Sequence, residues 1–455
     1  MILFPGSSIS AIGILQPLVA ASLQSQYVFA QALTAAQVQR ELGPLLSSIT
    51  AIFGPSDPRW SNETERYRNY APPHIQLVVQ PGRESDIPII VQYANNKSID
   101  FFVVNRGHAL TSTVGEFTGI QIDVRSLKDI AVHPNGKTAR LQAGTYNFEV
   151  IETLWKNGYI ATSGTCSCVG MVGPALGGGH GLFQGQYGLI SDNLVSLNMV
   201  LGNGTAITVN ETNNSDLWWA MLGAGHNFAI VTSFDLKIHP AIKSPWYYKE
   251  FAFGGDQLEA LFENLNKFHN NGTMAPTVAG SFGVYAMDVS ISKTEAVILW
   301  TFVYNGSQAD AEPSLALFDQ LGAISHIDGV VSYPEVSDVL GSGLTSELCA
   351  ANRTHIISTA GLQVYNVTAY FDVTLKANSG LEHLAREWAA ETRELWNAGQ
   401  SWRRPTTYVN YAAGDESVES MYGYEPWRLQ RLRGLKDHYD PENRFSYYNP
   451  IIPRE

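Results

Sequence analysis

The chain has 455 residues, more than one hydrophobic core usually organises, so two domains or one large interrupted domain is expected. Apolar residues make up 45% and aromatics 11%, with no charge run or low-complexity tract, so nearly all of it should fold. A net charge of −13 leaves no basic footprint for displacing counterions, which excludes nucleic acid as a partner.

In chain order, the first feature is an apolar run from Ile9 to Ala21, followed by the small-x-small stretch Ala30-Gln31-Ala32. Residues 1–32 are expected to be a cleaved secretory signal, leaving no membrane anchor. No Lys or Arg precedes the run and Gln16-Pro17 interrupts it, so an amphipathic first helix is the alternative. Glycan acceptor sequons at Asn62, Asn203, Asn271, Asn305, Asn352 and Asn366 favour export and predict N-linked glycans. A helix is predicted over Asp86–Asn96, then strands at Phe101–Val104, Ile120–Val124 and Ala139–Gln142, and an amphipathic helix at Asn147–Asn157. A hairpin, Leu194–Leu201 with Ala206–Val209, turns at Asn203-Gly204; a helix at Asp216–Leu222 and a strand at Phe228–Leu236 follow. Beyond Pro240 the texture becomes β-rich with helices, including Gly283–Tyr285, Ala296–Tyr304, Gln363–Leu375 and Leu381–Leu395. The expected organisation is a cofactor domain over 33–240, a substrate domain over 241–400 and a segment, 401–455, that rejoins the first.

Several stretches carry chemistry. Arg106-Gly107-His108-Ala109-Leu110 follows a strand, where a turn of small residues can aim backbone N–H groups at a pyrophosphate without a basic cluster. Thr165-Cys166-Ser167-Cys168-Val169-Gly170 leads into Gly177-Gly178-Gly179-His180-Gly181, and glycine runs permit close backbone approach to a flat ligand. Three cysteines build no disulfide framework, so Cys166 and Cys168 invite a chemical explanation; a Gly-rich loop of amide donors is expected to lower a thiol pKa. From the residues alone, a His108 that caps a strand end, a buried thiol pair, or a Cys168–Cys349 bond stay open. Tyr408-Val409-Asn410-Tyr411 reads as a strand, with the two tyrosines on opposite faces. Histidines at ligand spacing are lacking, and no metal is expected.

Together these motifs resemble the berberine bridge enzyme-like FAD-linked oxidases, a branch of the vanillyl-alcohol oxidase superfamily. The resemblance implies an α+β fold: a two-part PCMH-type FAD-binding domain, an antiparallel-sheet substrate domain with helices, and a C-terminal segment returning to the first. It implies covalent FAD, with Arg106, Gly107, Ala109 and Leu110 cradling the pyrophosphate, His108 bonded to the 8α-methyl and Cys166 to C(6), with attachment through His108 alone as the alternative. Gly170, Gly177, Gly178, Gly179, His180, Asn193, Val231 and Tyr408 would line the cofactor, and Tyr411 would be the base, with Tyr408 as its alternative. Arg106 stands where a small residue is commoner, Cys168 where a hydroxyl or small residue is, and Ala224 and His226 where glycines are. The implied reaction takes a hydride from a small hydroxylated substrate, a secondary metabolite in preference, and dioxygen reoxidises the flavin to give hydrogen peroxide. A cyclase with little net oxidation, an oligosaccharide oxidase and a binding glycoprotein with a vestigial flavin are the competing functions.

Overall fold

The computed structural model describes residues 33–453 except 243, 287, 351–356 and 367–381, so the signal reading, Asn352 and most of the segment Gln363–Leu375 lie outside the described residues. The first sheet contains β1 (Ala51–Phe53), β2 (His74–Gln80), β3 (Asp100–Val104) and β4 (Thr118–Asp123), in the order β1-β2-β4-β3. β4 runs parallel to both β2 and β3, which requires a crossover after β2. That crossover is α1 (Asp86–Asn96), whose Ile87, Ile90, Val91 and Ala94 recur at i, i+3, i+4 and i+7 and are all buried. Its Asp86 carboxylate accepts hydrogen bonds from the Ser47 and Arg83 amides and from the Ser47 and Thr50 hydroxyls, which hold its pKa down although burial opposes them.

The second sheet is antiparallel throughout. It joins β5 (Ile130–Val132), β6 (Thr138–Gln142), β8 (Leu194–Leu201), β9 (Ala206–Val209) and β10 (Ala229–Lys237) in the order β5-β6-β10-β8-β9, with α2 (Asn147–Lys156) and the short β7 (Tyr159–Ile160) between β6 and β8. The β8–β9 turn uses Gly204 at φ +83°, a left-handed conformation that glycine adopts without steric cost. The chain then pairs β11 (His239–Pro240) with β7 before leaving this sheet.

The third sheet, also antiparallel, takes β12 (Trp246–Gly254), β13 (Val278–Ala286), β14 (Val297–Asn305) and β15 (Ser325–Val331) in the order β13-β14-β12-β15. Alternation along the strands separates two faces. Phe251, Phe253, Trp300 and Phe302 pack with Leu261 and Leu265 of α3 (Leu258–His269) and Phe318 of α4 (Gln308–Asp319). The opposite face begins with Trp246 and Val303, packed on Leu182 and Phe183. A longer helix, α5 (Glu382–Ala398), precedes the C-terminal segment.

That segment returns to the first half of the chain. In α6 (Pro426–Tyr439), Lys436 is 1% exposed, and its ammonium donates to the Asn227 carbonyl at 2.7 Å, the Phe445 carbonyl at 2.8 Å and the Asp440 carboxylate at 2.6 Å. Arg444 and Tyr447 both reach Asp100 on β3, and the Ile451 amide donates to Asn227 Oδ1 at 3.0 Å.

Candidate active site

β3 delivers the chain into the loop that carries His108. Asn105 donates to the carbonyls of Ala143 and Thr145 at 2.8 and 2.9 Å, which pins the loop to the end of β6. Gly107 turns at φ +68°, where a Cβ would stand 3.0 Å from the Glu65 carbonyl, and its own carbonyl accepts from the Tyr67 amide at 3.1 Å. The His108 ring stacks on Tyr67 with centroids 4.7 Å apart; its Nδ1–H donates to the Arg106 carbonyl at 3.0 Å and its Nε2 lies 3.5 Å from Cys168 Sγ. Arg106 lies over the Tyr146 ring at 3.9 Å, and burial pulls its pKa below the ordinary guanidinium value. Ala109 is half-buried and Leu110 is buried, and the next turn accepts the C-terminal segment: the Ser112 amide donates to the Ala413 carbonyl at 2.7 Å, and Thr113 to the Tyr447 carbonyl at 3.1 Å.

The Cys166 loop is seated on the N-terminus of α2, whose Asn147 and Phe148 amides donate to the Val169 and Ser167 carbonyls. Asn147 Nδ2 donates to the Cys166 carbonyl at 2.9 Å, and Gly170 packs where a Cβ would come within 2.4 Å of Asn105 Nδ2. A second clamp comes from far along the chain. The Ser167 amide donates to the Ser342 carbonyl at 2.9 Å, the Ser342 hydroxyl donates to the Thr165 carbonyl at 3.0 Å, and Cys168 is disulfide-bonded to Cys349. Of the open alternatives for Cys168, pairing with Cys349 is therefore the one found. Cys166 stays a thiol, 3.5 Å from Cys168 Sγ and 3.7 Å from Cys349 Sγ. Its pKa is raised, since burial outweighs the Cys168 amide that favours the thiolate; this corrects the expectation that loop amides would dominate.

The glycine run serves the chain's own packing. A Cβ at Gly177 would lie 2.2 Å from Asn410 Oδ1 and one at Gly179 2.8 Å from Ile190, while Gly178 turns at φ +99°. Asn193 is buried and holds this loop closed, its amide donating to the Tyr187 and Leu189 carbonyls at 2.9 and 2.8 Å. Val231 is buried in β10 beside a bulge that falls between it and Ser233. His180 is exposed, bonded through Nδ1 to Gln184 at 2.7 Å.

Residues 409–411 form a 3₁₀ turn and not the expected strand. The reason is geometric: side chains at i and i+3 eclipse in such a turn, so Tyr408 and Tyr411 come together, with ring centroids 5.0 Å apart, instead of facing opposite ways. Asn410 Nδ2 donates to the Tyr408 hydroxyl at 2.7 Å and to the Pro174 carbonyl at 3.0 Å, and the His180 amide donates to the same hydroxyl at 3.3 Å. Both phenols are pushed above the usual tyrosine pKa, first by desolvation; these donors pull Tyr408 back, whereas Tyr408, Cys166 and Tyr67 all push Tyr411 further up. Tyr411 keeps 52% of its surface exposed and lies near enough to Cys166 and Tyr67 for negative charge on either to oppose its ionisation.

The residues present fit the FAD that the motifs imply. An imidazole nitrogen and a thiol each lie 3.5 Å from one sulfur, and both are nucleophiles able to bond one edge of a flavin ring. Beside them Arg106 Nε, a donor, and Asn105 Oδ1 are buried with no hydrogen-bond partner in the protein. Three contributors were missed in sequence: Tyr67, Ser342 and Asn147, whose roles depend on contacts across 17 or more positions or on ring stacking. The gathering of all three sulfurs within 4.8 Å was also missed, although Cys349 was visible as a partner for Cys168.

Two family models match the chain, one described as an FAD binding domain over residues 75–210 and one as berberine and berberine like over residues 407–452. The FAD-linked oxidoreductase anuG of Penicillium roqueforti is 47% identical, covering 91% of this chain and 92% of its own. The FAD-linked oxidoreductase OXR2 of Pyricularia oryzae is 43% identical over 92% of each. Among solved structures, a glucooligosaccharide oxidase of Acremonium strictum with 6-S-cysteinyl, 8α-N1-histidyl FAD shares the fold at 18% identity, with a TM-score of 0.74 over 92% of this chain and 99% of that one. No helix among the described residues is long and apolar enough to cross a membrane.

Proposed function

The chain belongs to the berberine bridge enzyme-like family of FAD-linked oxidoreductases, and from that premise we propose that it is a secreted oxidase of a small hydroxylated organic molecule, with dioxygen as the terminal acceptor and hydrogen peroxide as the product. The observation that carries this reading is the grouping of His108 and Cys166 about one sulfur, with Tyr411 beside them. His108 and Cys166 hold the cofactor covalently, and Arg106, Gly107, Ala109 and Leu110 receive its pyrophosphate, with Arg106 Nε as the spare donor. Bound FAD supplies a two-electron acceptor. Tyr411 takes the proton from the substrate hydroxyl, and Tyr408, fixed by Asn410 and the His180 amide, orients the Tyr411 ring edge-on.

The sheet β12–β15 supports the reading of the substrate class. The face that starts at Trp246 and Val303 continues outward through Phe282, Val284 and Ile327, which are 46%, 59% and 61% exposed. Its polar groups include the Tyr248 and Ser325 hydroxyls and Glu250, which accepts from the Thr301 hydroxyl at 2.8 Å. A wall with Phe282, Val284 and Ile327 exposed and few polar groups between them suits a secondary metabolite with hydrocarbon rings better than an oligosaccharide, which brings many hydroxyls to satisfy. Export is supported by the Cys168–Cys349 disulfide, since such bonds persist in oxidising compartments, and by the exposed sequon side chains of Asn62 and Asn203.

Acid precipitation of the purified protein tests the core of this reading. The pellet should stay yellow, lose one attachment in Cys166→Ala and lose retention further when His108→Ala is added. A colourless pellet from protein made in riboflavin-replete cells would overturn it. Peroxide release with polycyclic or phenolic alcohols, and none with cello- or chito-oligosaccharides, is the expected substrate outcome.

A further inference from the structure

All three cysteines of the chain meet at one point, and each sulfur is within reach of the other two. The Cys166 thiol lies 3.5 Å from one sulfur of the Cys168–Cys349 bond and 3.7 Å from the other, and Cys166 is two residues from Cys168 but 183 from Cys349. Such contacts are where thiol–disulfide exchange begins. We propose that the Cys168–Cys349 disulfide is the device that reserves Cys166 for the cofactor, by exchange among three isomers of which only one leaves Cys166 a thiol. The proposal rests on the reading of Cys166 as an attachment residue and adds to it a role for the other two cysteines.

The exchange balances internally. The Cys166 sulfur bonds to Cys349 Sγ while the Cys168–Cys349 bond breaks, the electron pair leaves on Cys168, and the proton given up by Cys166 ends on Cys168; attack on Cys168 Sγ instead releases Cys349. Neither route needs an oxidant. The Ser167 amide on the Ser342 carbonyl and the Ser342 hydroxyl on the Thr165 carbonyl hold the attachment loop against residues 342–349, which keeps Cys349 within reach of both Cys166 and Cys168. Once Cys166 is bonded elsewhere, the exchange stops and the disulfide is locked. Cys168 and Cys349 are thus positioning residues, not catalytic ones.

The test is non-reducing peptide mapping after acid quench and alkylation, on the full chain. Wild type should give a 168–349 disulfide and a flavin on the Cys166 peptide. Cys168→Ser should give a 166–349 disulfide, made by the disulfide donor that oxidises wild type during folding, with the Cys166 flavin lost at least 5-fold and the His108 attachment kept. Cys168→Ser with Cys349→Ser should restore the Cys166 flavin to at least half of wild type, which a merely structural disulfide would not do. Wild-type Cys166 flavin occupancy in Cys168→Ser, with Cys349 alkylated as a free thiol, would overturn the proposal. If the variants do not fold, apo wild type from riboflavin-starved cells decides: disulfides containing Cys166 support it, and a 168–349 bond alone refutes it. Disulfides containing Cys166 in a protein whose wild type never carries flavin there would sink the attachment reading and leave the exchange standing.

Discussion

The loops around His108 and Cys166 and the outer face of the β12–β15 sheet are built under opposite constraints. Around the two nucleophiles nearly every position is fixed by a neighbour: Gly107 by its left-handed turn, Gly170 by Asn105, Gly177 by Asn410, and the C-terminal segment by the buried Lys436. Phe282, Val284 and Ile327 stand on the sheet with about half of their surface or more in solvent. A change in the first region propagates through hydrogen bonds and close packing, whereas one in the second alters a surface. The fixed region can therefore set what chemistry is done, and the open face can set on what.

The sharpest way to break this contrast is at Lys436. Replacing it with Met leaves the Asp440 carboxylate, 2% exposed, bonded to the Arg444 and Phe445 amides with no countercharge. Unfolding by denaturant should show a loss of about 3–5 kcal/mol, the usual cost of orphaning one member of a buried pair. Adding Asp440→Leu should recover part of it. A loss below about 1 kcal/mol would mean the segment is not held as tightly as its bonds indicate.

Next in size is Tyr411. Its replacement by Phe should lower kcat/KM by about 10²–10⁴, the range for a positioned general base. Because burial and neighbouring groups raise the Tyr411 pKa, the wild-type rate should climb as pH rises from neutral into the alkaline range, and the Phe variant should lose that climb. Should Tyr408→Phe abolish the climb and Tyr411→Phe retain it, the two roles exchange.

What could be read in sequence follows the same divide. Helix Asp86–Asn96 and the 194–201/206–209 hairpin are found at the predicted residues because their apolar period and Asn-Gly turn are local signals. The resemblance likewise rested on short contiguous motifs. The 3₁₀ turn at 409–411 was misread because Tyr-x-Asn-Tyr alternates like a strand, and what bends it, Asn410 reaching Pro174, is 236 residues away in sequence. The clamp of Ser342 and Cys349 on the Cys166 loop depends on contacts across 177 and 181 positions, and the face to which Phe282 and Ile327 belong depends on strand pairing that no single segment encodes.

His226 provides a pH handle on the fixed region. It is half-buried, its Nε2–H donates to the Gly173 carbonyl at 2.9 Å, and desolvation lowers its pKa to about 4. The unfolded chain takes up this proton near the ordinary value of 6.5 and the folded chain only near 4, so the stability it contributes is complete above 6.5 and drains away as pH falls toward 4. The loss amounts to about 3 kcal/mol over that window. Denaturation midpoints measured from pH 7 to 4 should show the slope in wild type and a shallower one in His226→Gln. Equal slopes would mean that the carboxylates of the chain account for the whole acid response.

The smallest expected effects lie on the open face, where binding should change while stability and chemistry do not. Phe282→Ser and Ile327→Ser each remove apolar surface that a bound substrate would cover, and covering half of such a side chain is worth about 1–1.5 kcal/mol. KM should therefore rise by about 5- to 10-fold in each variant. The two side chains are far enough into solvent that stability should move by no more than about 0.5 kcal/mol. They also lie outside the His108, Cys166 and Tyr411 group, so kcat and the flavin spectrum should stay as in wild type. A fall in kcat at constant KM would merge the two regions into one functional unit. Unaltered kinetics in both variants would strip the sheet face of its role and return the search for the substrate wall to the rim around Tyr411.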